Sequence, residues 1–199
     1  MNEESKKKSA AHVLLDYVEM FVITVAVVIL LLSFFFRLCV VSGPSMNNTL
    51  LNGEKLIVSN LFYTPKTGDI IVFHQTSDLY DQFNEPIVKR VIATGGQFVW
   101  IDYKENKVYV SPDKDFTADE LLDESAYAYF ASPDGVWKES FFAKTQMFEV
   151  PEGHLFVMGD NRNVSADSRS VQVGFVDERR VLGKVLFRIT PLDKIGKVG

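Results

Sequence analysis

The chain has 199 residues, and its 21 lysines and arginines against 26 aspartates and glutamates give a formal net charge of −5. This acidic balance argues against a nucleic-acid-binding surface, because phosphate neutralisation needs clustered lysine and arginine. The one clear cationic cluster in the sequence is Lys6–Lys8. The length suffices for one core plus an anchor or a small second lobe. The single cysteine, Cys39, excludes an internal disulfide, and the histidines are too scattered to suggest a zinc site.

The N-terminal part carries one long apolar run, Met20–Phe36, with a charged residue on either side. Extended through Leu38–Val41, it reaches the roughly 20 residues that a transmembrane helix needs, provided that Arg37 extends to the interface. A run that is apolar on every face suits lipid better than a globular core. A removable signal peptide is the other alternative, but its apolar region typically has about 7–15 residues and ends in a small-x-small site. We therefore predict a permanent anchor over residues 18–41, after a short tail of residues 1–17.

The charges that flank this run predict its orientation. Lys6–Lys8 precede the run, and the positive-inside rule places such a tail in the cytoplasm. Arg37 on the far side weakens this inference without reversing it. We expect a single-pass protein of the cell (plasma) membrane, with residues 42–199 on the extracytoplasmic side.

After Leu51 the pattern changes to short apolar runs with turn signals between them. The two runs on either side of residues 102–105 are expected to form a hairpin. The predicted fold class is mostly β, with an N-terminal transmembrane helix followed by an antiparallel β-rich domain that carries an inserted lobe. The predicted strands are Lys55–Ser59, Thr67–His74, Pro86–Ala93, Gln97–Ile101, Asn106–Val110, Gly153–Met158 and Arg179–Ile189.

Residues 111–150 differ from the rest, because they contain nine acidic residues against three lysines. Such a charge run usually marks a solvated surface. We interpret these residues as a solvated insertion in the β-rich domain, with one short helix around Ala118–Tyr127. Their pattern does not indicate what the insertion does.

Directly after the apolar run, Gly43 and Pro44 predict a tight turn that presents the hydroxyl of Ser45. A serine in such a turn is far more often a turn or capping residue than a nucleophile. With His154 and Asp160 it would complete a formal triad, but the sequence has no Gly-x-Ser-x-Gly elbow and His154 begins a predicted strand. The turn alone therefore does not identify a catalytic serine.

A lysine is the other candidate base. Side chains alternate along the predicted strand, so Lys89 and Arg90 point to opposite faces and one of the two faces inward or toward a neighbouring element. Arginine is almost never neutral, whereas full burial depresses a lysine pKa by up to about 3–5 units. A buried Lys89 would then serve as a general base near neutral pH. If Lys89 instead points to water, it has no such role.

Four stretches along the chain carry a recognisable pattern, namely Ser42–Leu50, Thr67–Phe73, Val88–Ile92 and Gly159–Arg169. They resemble the sequence boxes of type I signal peptidases, in a form like that of Gram-positive bacteria. They occur in the family's order behind an N-terminal anchor, and the similarity covers nearly the whole chain except the acidic insertion. The last stretch is long enough to be highly specific.

This resemblance implies a membrane-anchored serine endopeptidase that cleaves signal peptides from exported preproteins. It implies that Ser45 is the nucleophile and Lys89 the general base of a Ser/Lys dyad, with Ser165 orienting the lysine. Signal-peptide-bearing preproteins and membrane lipid are the expected partners, and no metal or cofactor is expected. Two implied ion pairs hold the last box against the Lys89 strand, namely Asp160 with Arg90 and Asp167 with Arg169.

Two positions depart from the family pattern. Gly43 stands two residues before the nucleophile, where some Gram-negative members carry a hydroxyl that helps to stabilise the oxyanion. The oxyanion is then expected to rest on the Ser45 N–H plus a backbone group or water. The second departure, a milder one, is Val164, at a position of the last box where an asparagine is common.

The layout also predicts how a substrate binds. Small side chains at the cleavage site would fit shallow apolar pockets, and the peptide would run as an added strand beside residues 42–45 and 86–88. The candidate substrate-binding residues are Ser42, Pro44, Met46, Pro86, Ile87 and Val88.

Two alternatives remain at this point. An autocleaving repressor-type peptidase shares the Ser/Lys dyad, but it would be soluble and the anchor argues against it. A membrane-tethered, non-catalytic binding module with a vestigial peptidase site is the alternative from another class. It is weakened because both dyad positions are filled.

Overall fold

The computed structural model describes residues 10–75, 85–103, 105–130 and 147–198. The chain divides into two compact units, Met1–Arg37 and Leu38–Gly199. The first unit contains helix α1 (Ala10–Phe35), whose 26 residues extend about 39 Å at about 1.5 Å per residue. This helix is long and apolar enough to cross a membrane, since a hydrocarbon core is about 30 Å thick. It is consistent with a membrane anchor.

The bounds of α1 differ from the predicted anchor over residues 18–41. The helix begins at Ala10, and the chain changes at residue 36 into strand β1 (Phe36–Val40). β1 lies at the end of a large sheet, next to β2 (Lys55–Ser59). A short apolar run fits a helix and a strand equally well, and here the last residues of the run pair with β2 in the sheet.

The other strands confirm the prediction of a mostly β, antiparallel fold. They are β3 (Ile70–His74), β4 (Pro86–Thr94), β5 (Phe98–Asp102), β6 (Lys107–Ser111), β7 (Met147–Glu149), β8 (His154–Met158), β9 (Val176–Asp177), β10 (Val181–Thr190) and β11 (Gly196–Lys197). The large sheet has the order β1-β2-β10-β3-β4-β8-β9, with β11 beside β10. From β2 to β9 the paired strands run antiparallel.

Strand β4 lies between β3 and β8 and carries the two adjacent cations. Lys89 pairs with Ile71 and Arg90 pairs with Ile70 across the β3–β4 ladder. Each cation is only 3% exposed. At least one of the two cations was expected to be buried, and in fact both are, because both faces of β4 are covered at this point. The alternative in which Lys89 points to water is wrong.

A second sheet of three strands, ordered β6-β5-β7, contains the predicted hairpin. β5 and β6 pair antiparallel in register from Phe98 with Ser111 to Asp102 with Lys107, which confirms that prediction. β7 comes from the acidic insertion and pairs with β5. In place of the expected helix over residues 118–127 there is one 3₁₀ turn, Ala118–Glu120. Residues 131–146 of the insertion lie outside the described residues.

One of the core clusters fixes the turn that carries Ser45. Val41, Met46 and Leu50 flank this serine and are at most 3% exposed. They pack with Leu56 of β2 and Val88 of β4, among others. Since burying one such side chain stabilises a fold by about 1.5–3 kcal/mol, these residues tie the turn firmly to the sheet.

Candidate active site

The turn before Ser45 is confirmed, and its backbone explains the residues found there. Gly43 has a φ of +82°, in the left-handed region that favours glycine, and its N–H donates to Oδ1 of Asn52 at 2.9 Å. The carbonyl of Pro44 accepts from the N–H of Asn47 at 3.0 Å. Ser45 itself is half-buried, so its hydroxyl sits in a fixed turn that a substrate can reach.

Lys89 is the residue that meets this hydroxyl. Its Nζ lies 2.7 Å from Oγ of Ser45 and 3.0 Å from the carbonyl oxygen of Val88. Burial lowers the pKa of Lys89 from 10.5 to about 8, while the carboxylates of Asp167 and Asp160 raise it and Arg169 lowers it further. A serine hydroxyl and a largely desolvated amine at this distance have the geometry that proton transfer requires.

The first expected ion pair, between Arg90 and Asp160, is present and fully buried. Nε and Nη2 of Arg90 donate to the two carboxylate oxygens at 2.9 and 2.8 Å. Oδ2 of Asp160 also accepts from the hydroxyl of Thr49 at 2.5 Å, and Nη1 of Arg90 donates to the carbonyl of Gly68 at 2.8 Å. Asp160 therefore joins β4 to the turn that carries Ser45.

The second expected pair, Asp167 with Arg169, closes the loop after β8 on itself. Nε and Nη2 of Arg169 donate to the Asp167 carboxylate, each at 2.8 Å, and the N–H of Gly159 donates to the same carboxylate at 2.9 Å. Burial raises the pKa of Asp167, but Arg169 and the N–H of Gly159 outweigh it, and the net shift is downward. The carboxylate consequently stays ionised and keeps the loop closed.

Gly159 lies where this loop touches the turn that carries Ser45. A β-carbon on Gly159 would collide with the carbonyl oxygen of Ser45 and with the hydroxyl of Ser165. A glycine is required here because of this close approach.

Ser165 does not hydrogen-bond to Lys89 as expected. Its hydroxyl is buried and helps to lower the pKa of Asp167 by hydrogen bonding to that carboxylate. It lies beside Gly159, close to the dyad but outside it.

The sequence reasoning missed Asn161 and Arg162, which lie between residues that it selected. The N–H of Asn161 donates to the carbonyl of Ser45 at 3.0 Å, and its Nδ2 donates to the carbonyl of Pro44 at 3.1 Å. Arg162 forms a buried ion pair with Glu124. A polar loop that contains an arginine is the only local signal for this pair, and it does not say which distant carboxylate is the partner.

A cavity of about 130 Å³ opens beside the Ser45–Lys89 pair. Five of the six candidate substrate-binding residues line it; Pro44 is the exception, and its carbonyl faces Asn161 instead. Val41 and Glu85 were not expected in the lining. The residues that line the cavity are Val41, Ser42, Ser45, Met46, Glu85, Pro86, Ile87, Val88 and Lys89.

His154 belongs to a different place in the fold. It begins β8, where it pairs with Asp177, and its Nδ1 lies 3.0 Å from the carbonyl oxygen of Glu152. The carboxylate of Asp160 is engaged by Arg90 and Thr49. The formal Ser–His–Asp triad is therefore wrong.

Comparison with known proteins finds similarity to signal peptidases. The family described as signal peptidase, peptidase S26, matches residues 14–190. The chain is 33% identical over 197 residues to signal peptidase I of Bacillus licheniformis, with 98% of each protein covered. It is 32% identical over 165 residues to signal peptidase IB of Staphylococcus aureus, with 77% of this chain and 78% of that protein covered. A crystal structure of a signal peptidase I from Enterococcus faecalis V583 shares 28% identity and a TM-score of 0.37, over 61% of this chain and 97% of that one.

Proposed function

Because the chain belongs to the signal peptidase family, peptidase S26, whose members are serine endopeptidases that remove signal peptides, we propose that Ser45 is its nucleophile and Lys89 its general base. The observation that carries this proposal is the 2.7 Å contact between Nζ of Lys89 and Oγ of Ser45 in a site where the lysine is 3% exposed. The geometry favours this function over a vestigial binding module, since both groups are oriented for proton transfer.

The chemistry follows from that contact. Neutral Lys89 takes the proton of Ser45 as Oγ attacks the scissile carbonyl carbon, and the C–O bond forms while the carbonyl oxygen becomes an oxyanion. Collapse of this intermediate breaks the C–N bond, and the Lys89 ammonium returns its proton to the leaving amine. Water then attacks the acyl-enzyme with Lys89 again as base. The signal peptide leaves with a carboxylate and Ser45 regains its hydroxyl.

Two further groups are assigned to this cycle. Protonated Lys89 has three N–H bonds, of which Val88 and Ser45 accept two, and we assign the third to the hydroxyl of Ser165, which would orient the ammonium. The oxyanion is assigned to the Ser45 N–H with a second backbone group or water. Gly43 has no hydroxyl to offer, and its own N–H is taken by Asn52.

The substrate is assigned to the cavity beside Ser45. An extended peptide that adds a strand along residues 42–45 and 86–88 would place its scissile carbonyl at Oγ, with backbone hydrogen bonds supplying affinity. The small volume of the cavity, about 130 Å³, suits the small side chains of a signal-peptide cleavage site.

The proposed location is the plasma membrane, with residues 1–17 in the cytoplasm and residues 42–199 on the extracytoplasmic side, in contact with lipid and with exported preproteins. The apolar helix α1 and the preceding Lys6–Lys8 support it. Protease protection in right-side-out vesicles tests it, because the exposed residues 191–195 should be cut by added protease. Cleavage there only in inside-out vesicles would reverse the topology.

The dyad is tested with full-length protein in detergent and a fluorogenic signal-peptide substrate. Ser45→Ala, Lys89→Ala and the double variant should show the same residual rate, because residues that act as one unit are not additive. Ser125→Ala and Lys55→Met change exposed residues and should keep wild-type rates. Substantial cleavage by the folded Lys89→Ala variant would refute the proposal.

A further inference from the structure

Part of the acidic insertion lies directly against the loop after β8. The N–H of Tyr129 donates to the carbonyl of Asp160 at 2.7 Å, and the N–H of Arg162 donates to the carbonyl of Tyr129 at 2.8 Å. These two hydrogen bonds form a parallel bridge between Tyr129 and Asn161. The insertion therefore holds Asn161 from one side through its backbone.

On its other side, Asn161 holds the turn that carries Ser45. Its N–H and Nδ2 donate to the carbonyls of Ser45 and Pro44 at 3.0 and 3.1 Å. A shift of Asn161 would pull on both carbonyls and so move the Ser45 hydroxyl away from Lys89. Asn161 is thus the mechanical link between the insertion and the dyad.

The position of this link depends on a buried ion pair between Glu124 and Arg162. Nη1 of Arg162 donates to Oε2 of Glu124 at 2.7 Å, Nη2 contacts Oε1, and Nε donates to the carbonyl of Gly159 at 3.1 Å. Arg162 is 2% exposed and Glu124 is 9% exposed. For Glu124, the interpretation of the insertion as a solvated surface is therefore wrong.

Tyr127 adds a contact that spans the site. The guanidinium carbon of Arg90 lies 4.0 Å from the centre of its ring, and that of Arg162 lies 5.9 Å away. Both distances fall within the range of cation–π attraction. The ring therefore packs against one cation from β4 and one from the loop, and it holds these two elements in place relative to each other.

We propose that the acidic insertion supplies a positioning element, Glu124 and Tyr127, which holds Asn161 in place and thereby fixes the Ser45 hydroxyl against Lys89. The inference rests on the proposed roles of Ser45 and Lys89. Glu124 and Tyr127 act through the loop, so they are positioning residues and not catalytic residues. A displacement of about 1 Å at a reacting group costs on the order of 100-fold in rate, which sets the scale of the expected effect.

Glu124→Gln tests the ion pair in the full-length protein in detergent, with the fluorogenic substrate at pH 9. We expect kcat to fall by about 10- to 100-fold and KM to stay within about threefold, because the cavity does not include Glu124. Asp123→Asn, at the exposed neighbouring acid of the same insertion, is the matched control and should keep the wild-type kcat. Equal kcat values for the two variants would overturn the inference.

A second variant separates positioning from stability. Glu124→Leu with Arg162→Met replaces the buried pair by apolar side chains, a change that often leaves stability unchanged or raises it. The proposal requires reduced kcat in this double variant even where it melts at the wild-type temperature. Wild-type kcat in a stable double variant would overturn it. Lys89→Ala measured in parallel separates the two proposals, since activity in that variant refutes the dyad itself.

Two variants of Tyr127, one with and one without an aromatic ring, test its contribution. Tyr127→Phe keeps the ring over Arg90 and should retain kcat, whereas Tyr127→Leu removes it and should lower kcat at least about fivefold, the scale of a cation–π contact of about 1 kcal/mol. The same kcat in both variants would remove Tyr127 from the positioning element.

Discussion

The pH dependence of cleavage probes the proposed general base most directly. Burial lowers the pKa of Lys89 from 10.5 to about 8, and only the neutral amine accepts the proton of Ser45. We therefore expect kcat/KM, which reports groups of the free enzyme, to rise about tenfold per pH unit below pH 7 and to reach half of its plateau near pH 8.

The structure sets the size of this effect. At pH 7 a lysine of pKa 10.5 is neutral in about 0.03% of molecules, against about 10% for a pKa of about 8. Burial thus increases the reactive fraction about 300-fold, equivalent to about 3 kcal/mol. Among the charged groups around Lys89, Asp167 and Asp160 oppose this shift and Arg169 reinforces it.

The assay measures initial rates from pH 6 to 10 on full-length protein in detergent, with a fluorogenic substrate that has no ionisable group near its cleavage site. Lys55→Met, at an exposed lysine of β2, should give the wild-type profile. Lys89→Arg keeps the positive charge but cannot lose it, so it should be inactive at every pH. A midpoint near pH 10.5, a flat profile or an active Lys89→Arg variant would refute the reasoning.

Three further predictions concern the buried charges and the close approach of Gly159. The pKa of Lys89 is lower in the folded chain, so the free energy of unfolding of the wild type, measured relative to Lys89→Met, should rise by up to about 3 kcal/mol between pH 8 and pH 10.5. Below pH 8 the difference between the two proteins should not change with pH. Chemical denaturation that shows a constant difference over the whole range would contradict this. Gly159→Ala should lower kcat by about 100-fold or more, whereas Gly196→Ala, where a β-carbon meets open space, should not, and equal rates would disprove the steric argument. Asp160→Asn leaves the guanidinium of Arg90 buried without its carboxylate and should lower the free energy of unfolding by about 3–5 kcal/mol, whereas Asp123→Asn, at an exposed carboxylate, should leave it unchanged. A loss below about 1 kcal/mol at Asp160 would show that the pair is not required.

Features encoded in one contiguous stretch were predictable from the sequence. The turn at Ser45 follows from Gly43 and Pro44, and strand β4 follows from its short apolar run, which two adjacent cations interrupt. Contacts between stretches far apart along the chain were harder to predict. Alternation along β4 requires only one buried cation, and the second is buried because Asp160, 70 residues later, covers that face.

The insertion and the end of the anchor illustrate the same limit. Local composition marks Glu124 as one acid in a solvated run, yet its partner Arg162 lies 38 residues further along. The last residues of the apolar run fit a membrane helix and a strand equally well, and the pairing of β1 at the end of the sheet decides between them. In both cases a distant element determines the outcome, which no local pattern encodes.

The charges around Lys89 explain how its pKa can be lowered among so many ionised groups. Arg90, Arg162 and Arg169 each have a carboxylate of their own, in Asp160, Glu124 and Asp167. Because each carboxylate lies beside a guanidinium, opposite charges offset one another in part, and burial is the largest cause of the lowered pKa. The pairs of Asp160 and Asp167 therefore tie down the loop after β8, while both carboxylates that raise the pKa of Lys89 keep a cation beside them.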